Sequence, residues 1–110
     1  SKQYRINVQG KELQIPLRDI LYFETGRHVT LIHTLTDTIS ITKVLSEVCE
    51  DFEQNPEFLK VGRSYLINRL YVRNVDPAEI EMMNSAVIPI PVRLQREIRQ
   101  QLKEDRFSKM

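Results

Sequence analysis

Residues 58–68 read Phe-Leu-Lys-Val-Gly-Arg-Ser-Tyr-Leu-Ile-Asn, two short apolar runs separated by a polar turn sequence. Each run is too short for a helix and is rich in the aliphatic and aromatic residues that strands favour. Gly62 is a typical turn residue, because it adopts backbone conformations that other residues avoid. The stretch therefore predicts two strands, over 58–61 and 65–67, with the turn Gly62-Arg63-Ser64 between them.

Short apolar runs of the same kind extend to both sides of this stretch. Tyr4, Ile6 and Val8 alternate with polar residues, which is the spacing of a half-buried strand. Turn signals separate seven further predicted strands, over 13–15, 21–24, 28–35, 38–41, 70–75, 80–83 and 86–90. A single turn is expected at residues 16–20, since proline presets φ at its start. The pattern predicts a mainly β chain.

Two segments have helical spacing instead. The first is predicted between an N-capping Thr42 and the terminating pair Asn55-Pro56, with Leu45, Val48, Cys49 and Phe52 on one apolar face. The second follows Pro91, with Leu94, Ile98 and Leu102 on its apolar stripe. A basic arc adjoins that stripe: Arg93, Arg96, Arg99, Lys103 and Arg106. One middle helix and one amphipathic C-terminal helix are expected.

Length and composition suit one globular domain over residues 1–110, with 41% hydrophobic and 28% charged residues. The net charge is only +1, so a nucleic-acid partner has to be argued from how the charge is distributed. Residues 42–60 carry two basic and five acidic residues, whereas residues 93–110 carry six basic and three acidic ones. This polarity indicates either solvated helix faces or a basic binding end.

The sequence carries no catalytic or metal-binding motif that we recognise. It has no Gly-rich phosphate loop, no G-x-S-x-G, no H-E-x-x-H and no C-x-x-C. His28 and His33 are five residues apart in one predicted strand, so their side chains are expected on opposite faces, unable to share a metal. Cys49, the only cysteine, is expected to be a buried structural thiol. These features predict a protein that is not an enzyme and needs no metal or cofactor.

The location expected for the chain is the cytoplasm. A single cysteine permits no internal disulfide and fits a reducing compartment. No apolar run approaches the length of a membrane span, and residues 1–10 lack the apolar core of a signal peptide. No membrane contact is therefore expected of this domain.

Four segments in order resemble the LytTR family of bacterial DNA-binding domains: IPLRDILYFET at 15–25, HVTLIHTLTDTISITKVLSEV at 28–48, FLKVGRSYLINRLYV at 58–72 and IPIPVRLQREI at 88–98. The likeness covers about residues 3–102 and is most specific at Phe58 to Asn68. It implies a mainly β fold, an elongated stack of short antiparallel sheets with one middle helix and a C-terminal helix. Loops along one edge of such domains reach into DNA.

Two positions depart from the family pattern. Gly62 stands where the family usually has His, which implies a loop that is more mobile or adapted to another DNA sequence. Pro91 replaces the usual Ser before the last helix, which removes a side-chain N-cap but still suits a helix start.

The resemblance implies three base-reading residues, His28, Arg63 and Arg93. An arginine fork can bind guanine O6 and N7 together, and a histidine nitrogen can bond one base edge or a phosphate. Their structural alternatives are an exposed hairpin residue, a surface turn residue and a helix-surface base. Weaker candidates for phosphate contact are Arg27, Lys60, Ser64, Asn68, Arg69 and Arg96. Asn68 could equally cap a turn.

The predicted function is sequence-specific DNA binding by a bacterial transcription regulator of the LytTR response-regulator type, part of a two-component system. The resemblance implies double-stranded promoter DNA with direct repeats, a dimer on DNA, and an isolated domain that is monomeric or weakly dimeric. It also implies an N-terminal receiver or sensor domain absent from this chain, which would make these residues the C-terminal part of a longer regulator.

The alternative is a β-rich protein-interaction module that binds a peptide strand at a sheet edge. Pro89 and Pro91 suit such an edge, where no ladder donor is needed. A contiguous positive edge joining His28, Arg63 and Arg93 would favour DNA, whereas scattered bases beside an apolar groove would favour a peptide.

Overall fold

The computed structural model describes residues 2–108, and the side chains only as far as residue 104, so that of Arg106 lies outside the described part. Ten strands and two helices follow one another along the chain. The strands are β1 (Gln3–Val8), β2 (Lys11–Pro16), β3 (Ile20–Thr25), β4 (Thr30–Thr34), β5 (Thr38–Ile41), β6 (Phe58–Val61), β7 (Tyr65–Asn68), β8 (Val72–Val75), β9 (Glu79–Met82) and β10 (Val87–Pro89). The helices are α1 (Leu45–Asp51) and α2 (Gln95–Ser108).

The strands form three antiparallel sheets. A central sheet has the order β5-β4-β3-β7-β6, a hairpin pairs β1 with β2, and a third sheet has the order β10-β9-β8. The described molecule measures 41 × 30 × 25 Å. The predicted mainly β fold, an elongated stack of short antiparallel sheets with a middle and a C-terminal helix, is confirmed.

The central sheet is buried on both faces. On one face Phe23 and Ile32 pack against α1 and the β1–β2 hairpin. On the other face Tyr22 and Ile67 pack against the third sheet and α2. The adjacent Leu21 and Tyr22 both lie on this second side, because the pairing of β3 with β4 shifts register between Ile20 and Tyr22. A bulge of this kind breaks strict alternation and lets two neighbouring side chains enter one core.

The first helix begins later than its sequence predicts. Its N-cap is Val44, whose carbonyl accepts the amides of Glu47 and Val48, and no side chain caps it. The prediction of Thr42 as the N-cap is therefore wrong. The backbone before the helix is held instead by Thr30, whose hydroxyl donates to the carbonyl of Lys43 at 2.7 Å.

The segment after β7 also differs from its prediction. Residues 70–75 were expected to be one strand, but Arg69–Tyr71 form a 3₁₀ turn and β8 starts at Val72. The cause is Asn68, whose side-chain oxygen accepts the amide of Leu70 at 3.0 Å and closes the turn. A side chain that bonds the backbone two residues on competes with strand pairing.

Candidate nucleic-acid interface

Two turns lie side by side at one edge of the central sheet. One joins β3 to β4 and is closed by the amide of Gly26 donating to the carbonyl of Val29 at 2.9 Å. The other, residues 62–64, joins β6 to β7. Because β3 pairs with β7, the amide of Thr25 reaches the carbonyl of Ser64 at 2.9 Å. The sheet register thus brings together turns that are far apart in sequence.

A third segment, leading into α2, packs against the second turn. Gly62 has a φ of +67°, and a Cβ built on it would lie 2.9 Å from Cγ of Pro91. Pro91 precedes the 3₁₀ turn Val92–Leu94, which continues directly into α2. We call these three segments, residues 26–29, 62–64 and 91–94, the turn edge.

Arg63 and Arg93, 30 residues apart in sequence, line one open cleft of about 440 Å³ between the β6–β7 hairpin and α2. Both side chains are exposed. Apolar residues of the hairpin and helix line the same cleft, together with Lys60, Glu97 and Gln101. The structure therefore brings together two of the three residues predicted to read bases.

His28 lies in the β3–β4 turn, exposed, with a φ of +62°. The predicted strand over 28–35 starts too early, since β4 begins at Thr30. A left-handed residue does not continue a strand, and this conformation costs a non-glycine residue about 1–2 kcal/mol. The prediction that His28 and His33 lie on opposite faces of one strand does not apply, because only His33 belongs to β4.

Four of the weaker candidates are exposed at or beside the turn edge. Arg27 and Ser64 lie on the two adjacent turns, and Arg96 lies in the first turn of α2. Lys60 is exposed on β6 and lines the cleft.

Cys49 is half-buried. Burial raises the pKa of its thiol, and the positive charge of Lys60 lowers it by a smaller amount. Such a raised pKa suits a structural thiol rather than a nucleophile.

Asn68 and Arg69 lie at the opposite end of the β6–β7 hairpin, because Asn68 pairs with Phe58 whereas Tyr65 pairs with Val61. Asn68 is only 1% exposed, and its amide nitrogen donates to the carbonyl of Ile20 at 2.9 Å. Burial and these bonds set Asn68 apart from the turn edge, and the alternative of a turn cap is confirmed. Arg69 is half-buried there, and its backbone amide donates to Glu57, so it does not join the turn edge.

The basic groups of the turn edge are electrostatically available. Within the described side chains, no carboxylate forms an ion pair with Arg27, Arg63, Arg93 or Arg96. Two basic residues elsewhere are paired: Lys43 lies 2.6 Å from Asp51, and Arg73 lies 3.7 Å from Glu81. Arginines without an internal partner can offer their full donor set to an external anion.

Glu24, near the end of β3, is bonded to a residue of the central sheet and not to an arginine of the turn edge. Its carboxylate lies 2.6 Å from Nε2 of His33, whose ring stacks on Tyr22 with centroids 4.3 Å apart. Tyr65 belongs to the same group, and its pKa is raised by burial and by the neighbouring Glu24. These contacts hold the carboxylate against the sheet rather than beside the turn-edge arginines.

Sequence reasoning missed Val92. It lies between Pro91 and Arg93 and is 85% exposed, the highest value of any large apolar side chain in the described part of the chain. An isolated apolar residue on a surface is ordinary, but this one sits within a basic edge. Its extreme exposure depends on the tight turn around it, which apolar periodicity does not report.

The fold and the edge together define a class of protein: a mainly β domain with exposed basic turns along one edge. The family model of the LytTr DNA-binding domain matches residues 10–103, so the chain belongs to the LytTR family of DNA-binding domains. That family assignment also points away from catalysis.

A solved structure shares the fold. It is the LytTr DNA-binding domain of a Bacillus cereus protein described as a methyl-accepting/DNA response regulator. The TM-score is 0.76 at 17% sequence identity, over 93% of this chain and 97% of that one.

A search of curated proteins found no match. No helix within residues 2–108 is long and apolar enough to cross a membrane.

Proposed function

We propose that the turn edge binds double-stranded DNA sequence-specifically, with its three segments directed into the major groove. The observation that carries this proposal is the meeting of Arg63 and Arg93 at one cleft, both exposed and neither ion-paired with any other side chain that the structure describes. Each guanidinium can bind O6 and N7 of a guanine at once. His28 is the third base-reading residue, on the adjacent turn.

Val92 adds an apolar contact to this set. Thymine is the base that presents a methyl group in the major groove, and an apolar side chain beside it distinguishes thymine from cytosine. Arg27, Lys60, Ser64 and Arg96 contact the phosphate backbone and hold the register without reading sequence. The domain thereby acts in transcription regulation, within a longer regulator whose N-terminal receiver or sensor domain supplies dimerisation on promoter direct repeats. It performs no catalysis and needs no cofactor.

The test is selection of bound duplexes from a randomised pool, followed by fluorescence anisotropy at two salt concentrations. We expect a short motif to be enriched, with affinity that falls steeply as salt rises, because phosphate contacts release counterions. Arg63→Ala and Arg93→Ala should each lose roughly 1–3 kcal/mol of specific binding and relax preference at one base pair.

Lysine variants are the matched control. Arg63→Lys and Arg93→Lys keep the charge but lose the planar fork, so non-specific binding should persist while base preference is lost. Arg73→Ala, on the third sheet away from the turn edge, should leave both unchanged. If no motif is enriched, or polyanion competitor abolishes all binding, sequence-specific recognition by this edge is ruled out for the isolated domain. Peptide binding at a sheet edge then becomes the leading hypothesis.

A further inference from the structure

We propose that Gly62 and Pro91 form a positioning pair that sets the spacing of the two base-reading arginines, an inference that rests on the proposed DNA binding. The structure places the two residues side by side, so that a Cβ built on Gly62 would meet the ring of Pro91. Each lies just before an arginine of the turn edge, Gly62 before Arg63 and Pro91 two residues before Arg93.

The contact leaves no room for a side chain on the turn. A Cβ at position 62 would lie 2.9 Å from Cγ and 3.4 Å from Cδ of Pro91. Carbon atoms in favourable contact are about 3.5–4.0 Å apart, so even a methyl group must push the two segments apart by about 0.5 Å or more. The absence of a side chain at Gly62 is therefore what allows the turn to approach the start of α2.

The proline ring cannot swing aside by side-chain rotation, because it is fused to the backbone; a change of ring pucker moves Cγ only and leaves Cδ 3.4 Å from the added Cβ. That backbone is held on both sides. The amide of Ile90 donates to the carbonyl of Ala78 at 2.8 Å, and the carbonyl of Pro91 accepts the amide of Leu94 at 2.9 Å. Gln95 adds a side-chain bond to the carbonyl of Ile90 at 3.1 Å. A group inserted at position 62 would thus displace the turn that carries Arg63.

Displacement of this size matters for base reading. Two-point recognition needs its groups held within about 0.5 Å of the productive geometry. Arg63 and Arg93 are exposed and line the same cleft, so the contact of Gly62 with the Pro91 ring behind them is what fixes their relative position. Gly62 and Pro91 then act on specificity through the arginines, without contacting DNA themselves.

The experiment is a double-mutant cycle of Gly62→Ala and Pro91→Ala, measured with the duplex enriched from the random pool and with a scrambled duplex. Gly62→Ala should weaken binding to the enriched duplex about tenfold and reduce the preference at the base pair read by Arg63. Binding to the scrambled duplex should change less than about twofold. In the Pro91→Ala background the same substitution should cost no more than about twofold, because the ring atoms it meets are gone.

Gly10→Ala is the matched control. Gly10 has a φ of +79°, and a Cβ there meets nothing within 4 Å. The substitution therefore introduces comparable backbone strain without a clash and should leave DNA binding unchanged. If Gly62→Ala loses the same affinity in both backgrounds, only backbone strain is at work and the positioning pair is overturned. Unchanged affinity in Gly62→Ala overturns it as well.

A measurement on the free protein separates this inference from the proposed function. The Nε–Hε signals of Arg63 and Arg93 in ¹H–¹⁵N spectra, assigned with the lysine variants, should shift in Gly62→Ala and stay in place in Gly10→Ala. Signals that do not move overturn the positioning pair, whatever the protein binds. Shifted signals in a protein that enriches no motif would uphold the contact between the segments and overturn its role in base reading.

Discussion

The two ends of the β6–β7 hairpin show how one strand pair supports two different kinds of surface. At the turn edge, Arg63 and Ser64 are exposed, and the neighbouring turns are joined by the backbone bond of Thr25 to Ser64 and by the hydroxyl of Thr25, which donates to the carbonyl of Arg63 at 3.5 Å. At the other end, which we call the capped end, Asn68 is buried and both polar atoms of its side chain are bonded to backbone groups. Side-chain hydrogen bonds stabilise the capped end. At the turn edge the side chains of Arg63 and Ser64 point to solvent, where a partner can reach them.

Asn68→Ala is expected to have the largest effect on stability. It leaves the carbonyl of Ile20 and the amide of Leu70 without their bonds in a buried setting, which should lower the free energy of unfolding by about 2–4 kcal/mol. Chemical denaturation measures the loss. Base preference of the folded fraction should remain as in the unmodified protein. A change of preference at unchanged stability would show that the two ends are not separate in role.

His28→Gly should have the opposite signature. The change removes a side chain proposed to read a base, so specific binding should fall about tenfold. Glycine also relieves the strain of the left-handed backbone at φ +62°. The greater freedom of glycine in the unfolded chain offsets this gain, so the free energy of unfolding should change by no more than about 0.5 kcal/mol. Anisotropy and denaturation on the same variant test both halves. Full affinity would make His28 a structural turn residue.

Tyr4→Phe changes a site away from both ends. Its hydroxyl donates to Asp51 at 2.8 Å while its ring packs in the core beside Phe23 and Phe52. Removing the hydroxyl should cost about 1 kcal/mol of unfolding free energy, with DNA binding unchanged.

The same variant has an expected pH dependence. Burial, and then Asp51, raise the pKa of Tyr4 in the folded state. Above the ordinary tyrosine pKa of about 10, the unfolded chain releases this proton while the folded chain keeps it, so stability falls as pH rises. Denaturation midpoints between pH 8 and 11 should therefore decline less steeply in Tyr4→Phe. An identical decline would show that other groups cause the loss of stability at high pH. One such group is the buried Tyr22, because burial raises its pKa as well.

Tyr71→Phe should show the smallest effect, at the capped end. Its hydroxyl donates to the carbonyl of Arg18, joining the 3₁₀ turn Arg69–Tyr71 to the turn Leu17–Asp19. The bond is exposed, so water can replace it, and the loss should be about 0.5 kcal/mol with no change in DNA binding. A loss as large as that of Asn68→Ala would place the main stabilising contact of this end at the surface.

Local sequence patterns predicted most of the elements. The alternating apolar residues of β1 and the helical stripe of Ile98 and Leu102 are both where the spacing puts them, since side-chain periodicity is a property of the local backbone. The errors concern caps and turns. Thr42 is a good capping residue that does not cap, and His28 is a turn residue where a strand was expected. Before the first helix a bond from another strand, Thr30 to Lys43, holds the backbone, and at His28 the bond of Gly26 to Val29 closes the turn.

The candidate site divides in the same way. Arg63 and Arg93 are predicted by the family resemblance, and the structure brings them to one cleft. Asn68 was a candidate both for a phosphate contact and for a turn cap, because its residue type suits either, and its burial favours the cap. Val92 carried no signal, because a valine before a helix is ordinary in sequence.

By itself the sequence determined the β-rich class, the two helices, the polarity of charge and membership of the LytTR family, because these follow from residue types and spacing within short segments. Only the tertiary structure decided that the turns 26–29 and 62–64 and the segment before α2 share one edge. That arrangement follows from the pairing of β3 with β7 and from the close approach of Gly62 to Pro91. Contacts between distant segments depend on strand register and on excluded volume, and neither is written in any single stretch of the chain.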